Sequence, residues 1–334
     1  MTASWVAWCD GLRRVRRAPA ILAGVWLLTV LVSVPLALGL RGMLEQHLGS
    51  SLAADSAAAG VNDDWWQEFS DQASGLGVTF RPTIIGFSAV LDNLSAFVDN
   101  DHRPIVIVGA ATAYVVLWIF FAGGIIDRVA RDRPTRAPGF FAASGVFAFR
   151  FLRLAAIMWA VYALLFAYVH PWLFGDLYGR LTHDTTVERT AFLTRAALYV
   201  LFGLIVAACN LIFDYAKVLA VVEDRRSMIG AIRAAVAFVQ RNAGAAIALY
   251  AINLLLFVVV LAVYAMIAPG AGTDGLSVWT GLAVGQLYIL GRLWVKLTFW
   301  ASETALFQAR LAHAGYVATP VATWPDSPAA DAIR

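Results

Sequence analysis

Apolar positions in this chain come in long unbroken runs, and polar positions gather between them, with little of the period-two alternation of half-buried strands. The runs cover 19–40, 105–126, 154–174, 196–222, 244–268 and 279–300. Each is long enough, at ~1.5 Å per residue, to cross a hydrocarbon core of roughly 30 Å. A backbone in lipid must satisfy its own polar groups, so such runs predict helices. The expected fold is all-α: a polytopic integral membrane protein with six transmembrane helices, forming one domain over 1–318 and ending in a flexible tail at 319–334. The first run follows Arg13, Arg14, Arg16 and Arg17. It exceeds the ~7–15 residues of a secretory apolar region, so it reads as an uncleaved anchor.

Shorter stretches between the runs carry a different pattern. In SWVAWCDGLRRVRR the apolar stripe is Trp5, Trp8, Leu12 and Val15; in APGFFAASGVFAFR it is Phe140, Phe141, Phe147 and Phe151. In SMIGAIRAAVAFVQR it is Met228, Ile229, Ile232, Val236 and Val239. Each carries arginine on another side and leads into a run, as a helix lying in the inner interface requires. Asp132-Arg133 at the end of the second run recurs as Asp224-Arg225 at the end of the fourth. The chain therefore reads as an internal repeat of three units, each an in-plane helix, a span, an outer connection and a returning span. The segment 41–103 holds nine acidic residues against three arginines and predicts a small helical cap.

Composition narrows the class. The chain is 60% hydrophobic and 14% charged, where soluble domains average ~45–50% and ~25%. The net charge of +3 is small and localised, which excludes a nucleic-acid partner. Arginines collect before the first run, between the second and third, and between the fourth and fifth. This positive-inside pattern predicts cytoplasmic N- and C-termini. Lys217 and Lys296 are the only lysines among 25 cationic residues, a bias read as a high-GC bacterial genome and hence a bacterial inner membrane. Cys9 and Cys209 have no metal or disulfide spacing.

The segment VVEDRRSMIGAIRAAVAFVQRNAGAAIALYAINLLLFVVV has an acidic turn, Glu223-Asp224, then an amphipathic helix, then Arg241-Asn242 opening a span. Over about residues 105–315 this pattern resembles the membrane domain of bacterial glycerophosphodiester phosphodiesterases and related six-helix membrane families. The resemblance implies a membrane-domain fold and no activity, because the soluble catalytic domain of that family has no counterpart here.

Charged residues inside spans are costly in lipid and so point to function. Asn210, Asp214 and Lys217 share one face of the fourth run; Arg292 and Lys296 share one face of the sixth, with Glu303 beyond. They predict a polar seam between the two spans, with Asp214 paired to Lys217, Arg292 or Lys296. Two acids against three cations leave one positive charge, which suits an anionic lipid. The first reading of the seam is nonetheless a structural lock between the two helices, with anionic lipid binding and a transport or proton pathway as the alternatives. Gly281 and Gly285 offer a small-residue contact for another helix. His170, or the acidic cluster Asp63, Asp64, Glu68 and Asp71, could meet a metal, but neither has ligand spacing, and Trp65 and Trp66 could rest on headgroups. No hydrolase, P-loop, zinc-protease or dinucleotide motif occurs. The expectation is a non-enzymatic protein, without cofactor or metal, that organises membrane lipids or a protein partner, a second copy included; a lipid-handling permease is the runner-up.

Overall fold

A computed structural model describes residues 2–58, 62–270 and 275–313, and every regular element among them is helical. In chain order these are α1 (Ala3–Arg16), α2 (Pro19–Leu48), α3 (Ala54–Ala58), α4 (Asp63–Gln72), α5 (Gly86–Asp99), α6 (Ile105–Arg131), α7 (Ala137–Leu164), α8 (Tyr178–Thr182), α9 (Glu188–Val222), α10 (Met228–Arg241), α11 (Ala243–Ile267) and α12 (Gly275–His313). Five helical stretches are long and apolar enough to cross a membrane: α2, α6, Ala137–Thr182, α9 and α11. The sixth expected span falls within α12, whose apolar stretch Gln286, Arg292 and Lys296 interrupt. The tail expected at 319–334 lies outside the described residues.

One expected element is corrected. The stretch from Ala137 to Phe151 is not a separate in-plane helix, because α7 runs unbroken through it to Leu164. Nothing in Gly145 to Leu154 breaks a helix, and Pro138 sits in the first turn, where its missing N–H costs nothing. The break comes later, around Pro171, where the lost donor shifts the hydrogen-bond register and two π-turns, Leu165–Val169 and Trp172–Leu177, carry the chain on to α8. By contrast α1 and α10 are separate helices, N-capped by the hydroxyls of Thr2 and Ser227.

The packing has a recurring plan. The helices α6, α9 and α12 each touch the other two and form the centre, while α2, α7 and α11 lie outside them. Each central helix also packs on the next amphipathic segment: α6 on α7, α9 on α10, and α12 back on α1, which closes the ring. Small residues make these contacts close. A Cβ on Gly123 would lie 2.6 Å from that of Phe147, one on Gly11 would lie 2.6 Å from the Ser302 nitrogen, and Ala216, Ala220, Ala231 and Ala235 are fully buried. The faces that pack combine these small residues with only part of the bulky stripes: Val15, Phe147, Phe151 and Met228 are buried, whereas Trp5, Phe141 and Ile229 are exposed. On α1 the buried face is Ser4, Ala7, Gly11 and Val15, and Trp5 is exposed; on α10 it is Met228, Ala231 and Ala235, and Ile229 is exposed.

Both acidic turns adopt the left-handed conformation, Asp132 at φ 46° and Asp224 at φ 49°, which aspartate tolerates better than most residues. Each also holds an arginine distant in sequence: Arg17 reaches Asp132 at 3.2 Å and Arg150 reaches Asp224 at 2.5 Å.

At the opposite end, α3 to α5 form the expected helical cap. Its centre is aromatic, with His47, Trp65, Phe69 and Phe80 in mutual ring contact. Trp65 is buried there, so it is core and not a headgroup anchor. The cap clamps to the bundle through α5: Asp99 accepts from the Tyr199 hydroxyl, and His170 Nε2 bonds the Val98 carbonyl at 2.8 Å.

Candidate functional site

Of the three partners expected for Asp214, Lys217 is the one it pairs with, and neither Arg292 nor Lys296 forms an ion pair with it. Asp214 and Lys217 pair along their own helix at 2.6 Å, one turn apart on α9. The connection to α12 is not an ion pair: the Trp300 indole N–H donates to the same Asp214 oxygen at 3.3 Å, and the Lys217 ammonium stands 5.6 Å from the Trp300 ring centre. Lys296 turns instead toward α6, its ammonium 3.7 Å from the centre of the Trp118 ring and 5.6 Å from that of Trp300. The two rings meet edge to face, 5.6 Å apart at 79°. Lys296 is exposed on the surface of the described chain, as Arg292 is, and a cation over an indole face is held by the ring quadrupole. Lys296 has no carboxylate within 4.0 Å among the described residues, so its charge is softened and not neutralised.

A cavity of about 200 Å³ opens beside these groups, between α6, α7, α9 and α12. Its lining combines Lys217 and Lys296 with Tyr114 and Trp118, in ring contact on α6, and with Trp300, Leu154 and Met158. A small chamber lined by apolar side chains and two ammonium-bearing residues suits a group that is anionic at one end and hydrocarbon at the other.

The remaining seam residues divide. Asn210 accepts a hydrogen bond from the Tyr162 hydroxyl at 2.8 Å, tying α9 to α7. Arg292 is exposed one turn from Lys296 and joins no ion pair with the seam. Glu303 is 1% exposed, and neither of its oxygens has a hydrogen-bond partner; the neighbouring Tyr215 hydroxyl is likewise buried without one. Beside them Asn253 donates to Ser302 at 2.9 Å, which fastens α11 to α12. Sequence reasoning missed Trp118, Trp300, Tyr162 and Asn253. All four lie within apolar runs, where spacing alone does not reveal which turn of one helix meets which turn of another.

The lesser candidates resolve simply. His170 is buried between Phe166 and Phe174 and bonded to backbone. No three metal-ligating side chains converge among the described residues. A side chain at Gly281 would meet Pro269 at 3.3 Å, whereas one at Gly285 would meet nothing within 4 Å, so the pair makes no close helix contact among the described residues. No family model, curated protein or solved structure matches this chain.

Proposed function

We propose that this protein is a non-enzymatic, six-span protein of the bacterial inner membrane that holds an anionic amphiphile in its lysine-lined chamber and thereby organises lipids, or partners that carry them. The observation that carries the reading is the Lys296 ammonium, seated on Trp118 at the wall of an apolar cavity and lacking a carboxylate partner. An uncompensated cation in such a setting is stabilised by any anion that can reach it. A lipid phosphate or fatty carboxylate can do so sideways from the bilayer, bringing its chain against Leu154 and Met158.

Three further observations support the topology. The 39 residues of α12 are long enough for a sixth span, with α11 as its hairpin partner. The matching left-handed turns at Asp132 and Asp224, each bound to an arginine distant in sequence, favour an internal repeat with the amphipathic stretches at the cytosolic boundary. Exposed Trp5 and Ile229 are the side chains such helices would lay into headgroups. The resemblance to the phosphodiesterase membrane domain belongs to the same proposal, since a membrane module without the catalytic domain fits a lipid-holding role.

Native mass spectrometry of detergent-purified protein tests the reading. The protein is expected to retain anionic lipid or fatty acid, and Lys296→Gln to lose that adduct while keeping its elution volume. Equal retention by both proteins overturns the proposal. Buried, unpartnered Glu303 beside Tyr215 favours the permease as second reading. That alternative expects Glu303→Gln to abolish lipid or anion flux in proteoliposomes.

A further inference from the structure

A second cavity lies away from the seam. It is a cleft of about 610 Å³ between α2, the end of α6 and the start of α7, within the ~300–1,000 Å³ range of ligand sites. Its mouth is formed by Arg17, Arg128 and Thr135, and its walls by Leu27, Leu28, Leu31, Phe121, Phe140 and Phe141. From Pro19 to Leu31 along α2 it extends about 18 Å at ~1.5 Å per residue. That exceeds the ~15 Å half-thickness of a hydrocarbon core, so a chain entering at headgroup level has apolar wall beside it to the midplane.

The mouth has an unusual charge. Arg128 is only 7% exposed, yet no carboxylate lies within 4.0 Å of it among the described residues; it makes one hydrogen bond, to the Arg17 carbonyl at 3.4 Å. Of the acids near it in sequence, Asp132 uses one oxygen on other arginines and leaves Oδ1 unpartnered, and Asp127 is engaged elsewhere. Asp132 holds Arg17 at 3.2 Å and Arg13 at 3.8 Å, and Asp127 holds Arg131 at 2.8 Å. A guanidinium carries five donors in a planar fork and is costly to bury without an acceptor.

We propose that this cleft is a binding site for an anionic glycerophospholipid, with the phosphate at Arg128 and Arg17 and one acyl chain lying along Gly24, Leu28 and Leu31. The phosphate supplies the acceptors that Arg128 lacks, in the geometry a guanidinium matches best. The chain covers apolar wall that α2 leaves open. This site stands apart from the lysine chamber and does not depend on it.

The test is cross-linking of a diazirine-acyl phosphatidylglycerol to the purified full chain in neutral detergent, followed by peptide mapping. Label is expected on peptides containing residues 24–31 or Phe140 and Phe141. Arg128→Gln should reduce it by about tenfold, equivalent to ~1.4 kcal/mol, and Arg128→Lys should restore part of it. Because Arg128 is buried, its removal could unfold the protein, so Gly24→Leu serves as a second variant. A side chain at Gly24 meets nothing within 4 Å and projects into space the chain would use. Gly24→Leu should block labelling with unchanged elution and melting. Excess phosphatidylglycerol should compete, and phosphatidylcholine should not. Undiminished labelling of these peptides in Gly24→Leu, labelling confined to other helices, or equal competition by phosphatidylcholine or oleate would overturn the proposal. Lys296→Gln leaves this labelling intact, which separates it from the chamber.

Discussion

The arginine-rich end of the bundle and the capped end are joined by the same helices, yet they close in different ways. At the arginine-rich end, backbones approach through glycine, alanine and serine, and side chains reach across the gaps. Arg14 bonds the Val129 carbonyl at 3.1 Å and Gln308 at 2.7 Å, and Gln308 bonds the Ala130 carbonyl at 2.9 Å, so α1, α6 and α12 are stitched together. The main buried cluster lies here. Toward the capped end the helices spread, and large apolar side chains such as Leu31, Val115, Leu204 and Leu255 are exposed. Among the described residues, elements there are linked by a small cluster around Leu173 and Phe202, the α5 clamp, and the Tyr264 ring, which stacks on Tyr288 at 4.1 Å and meets Phe87 edge to face. In water that exposure would be a liability; against acyl chains it costs nothing, because lipid is as apolar as leucine. The contrast teaches that this chain obtains its fixed shape from close packing at one end and leaves the other end to its surroundings.

The sharpest way to break the contrast is at a close contact. A side chain on Gly124 would collide with the Ser144 hydroxyl and lie 2.9 Å from the Phe140 carbonyl, and backbone there cannot yield cheaply. Gly124→Leu is expected to destabilise the protein by about 3 kcal/mol and to deplete folded protein in membranes. The matched change Gly203→Leu, on the spread part of α9 with open space around it, should stay within ~0.5 kcal/mol. Melting curves in one detergent compare them; equal losses would remove the distinction between the two ends.

Glu303 offers a smaller effect of opposite sign. A buried carboxyl without a donor is a cost the packed end carries, so Glu303→Met should raise stability by about 1–3 kcal/mol. Destabilisation would mean that the carboxyl has a partner and that the seam's polarity is structural.

The smallest effect belongs to the capped end. The Tyr199 hydroxyl, aided by Ser95 and Arg195, holds the Asp99 carboxyl below its ordinary 3.8 against a modest opposing effect of burial. A lowered folded-state value contributes stability that is fully present above about pH 4 and is lost as pH falls through the lowered value. The protection factors of residues 86–99, corrected for the intrinsic slowing of amide exchange toward acid, should therefore fall below about pH 4 in the parent, and more weakly in Asp99→Asn. The arginine-rich end should not change in step, and a uniform response would contradict the separation of the two ends.

Much of the architecture was legible in the chain itself. Five helical stretches suited to crossing a membrane, the cap and the separate helices α1 and α10 follow from run length, Pro and capping residues. These effects act within a few residues of where they are written. The Asp214–Lys217 pair was legible for the same reason, being one helical turn. The α7 segment was misjudged because its arginines and phenylalanines read as amphipathic, while nothing in the local sequence stops the helix before Leu164.

Hydropathy periodicity and charge placement thus determined which segments are helices and where each carries its polar residues, since both depend on local backbone and solvation energetics. Only the tertiary structure decided which face of α1 and α10 packs inward, that Lys296 meets Trp118 and not Asp214, and that Arg128 is buried beside an open cleft. The physical reason is that helix rotation and closeness of approach are set by the fit of small residues on several helices at once. That fit has no signature in the spacing along any one of them.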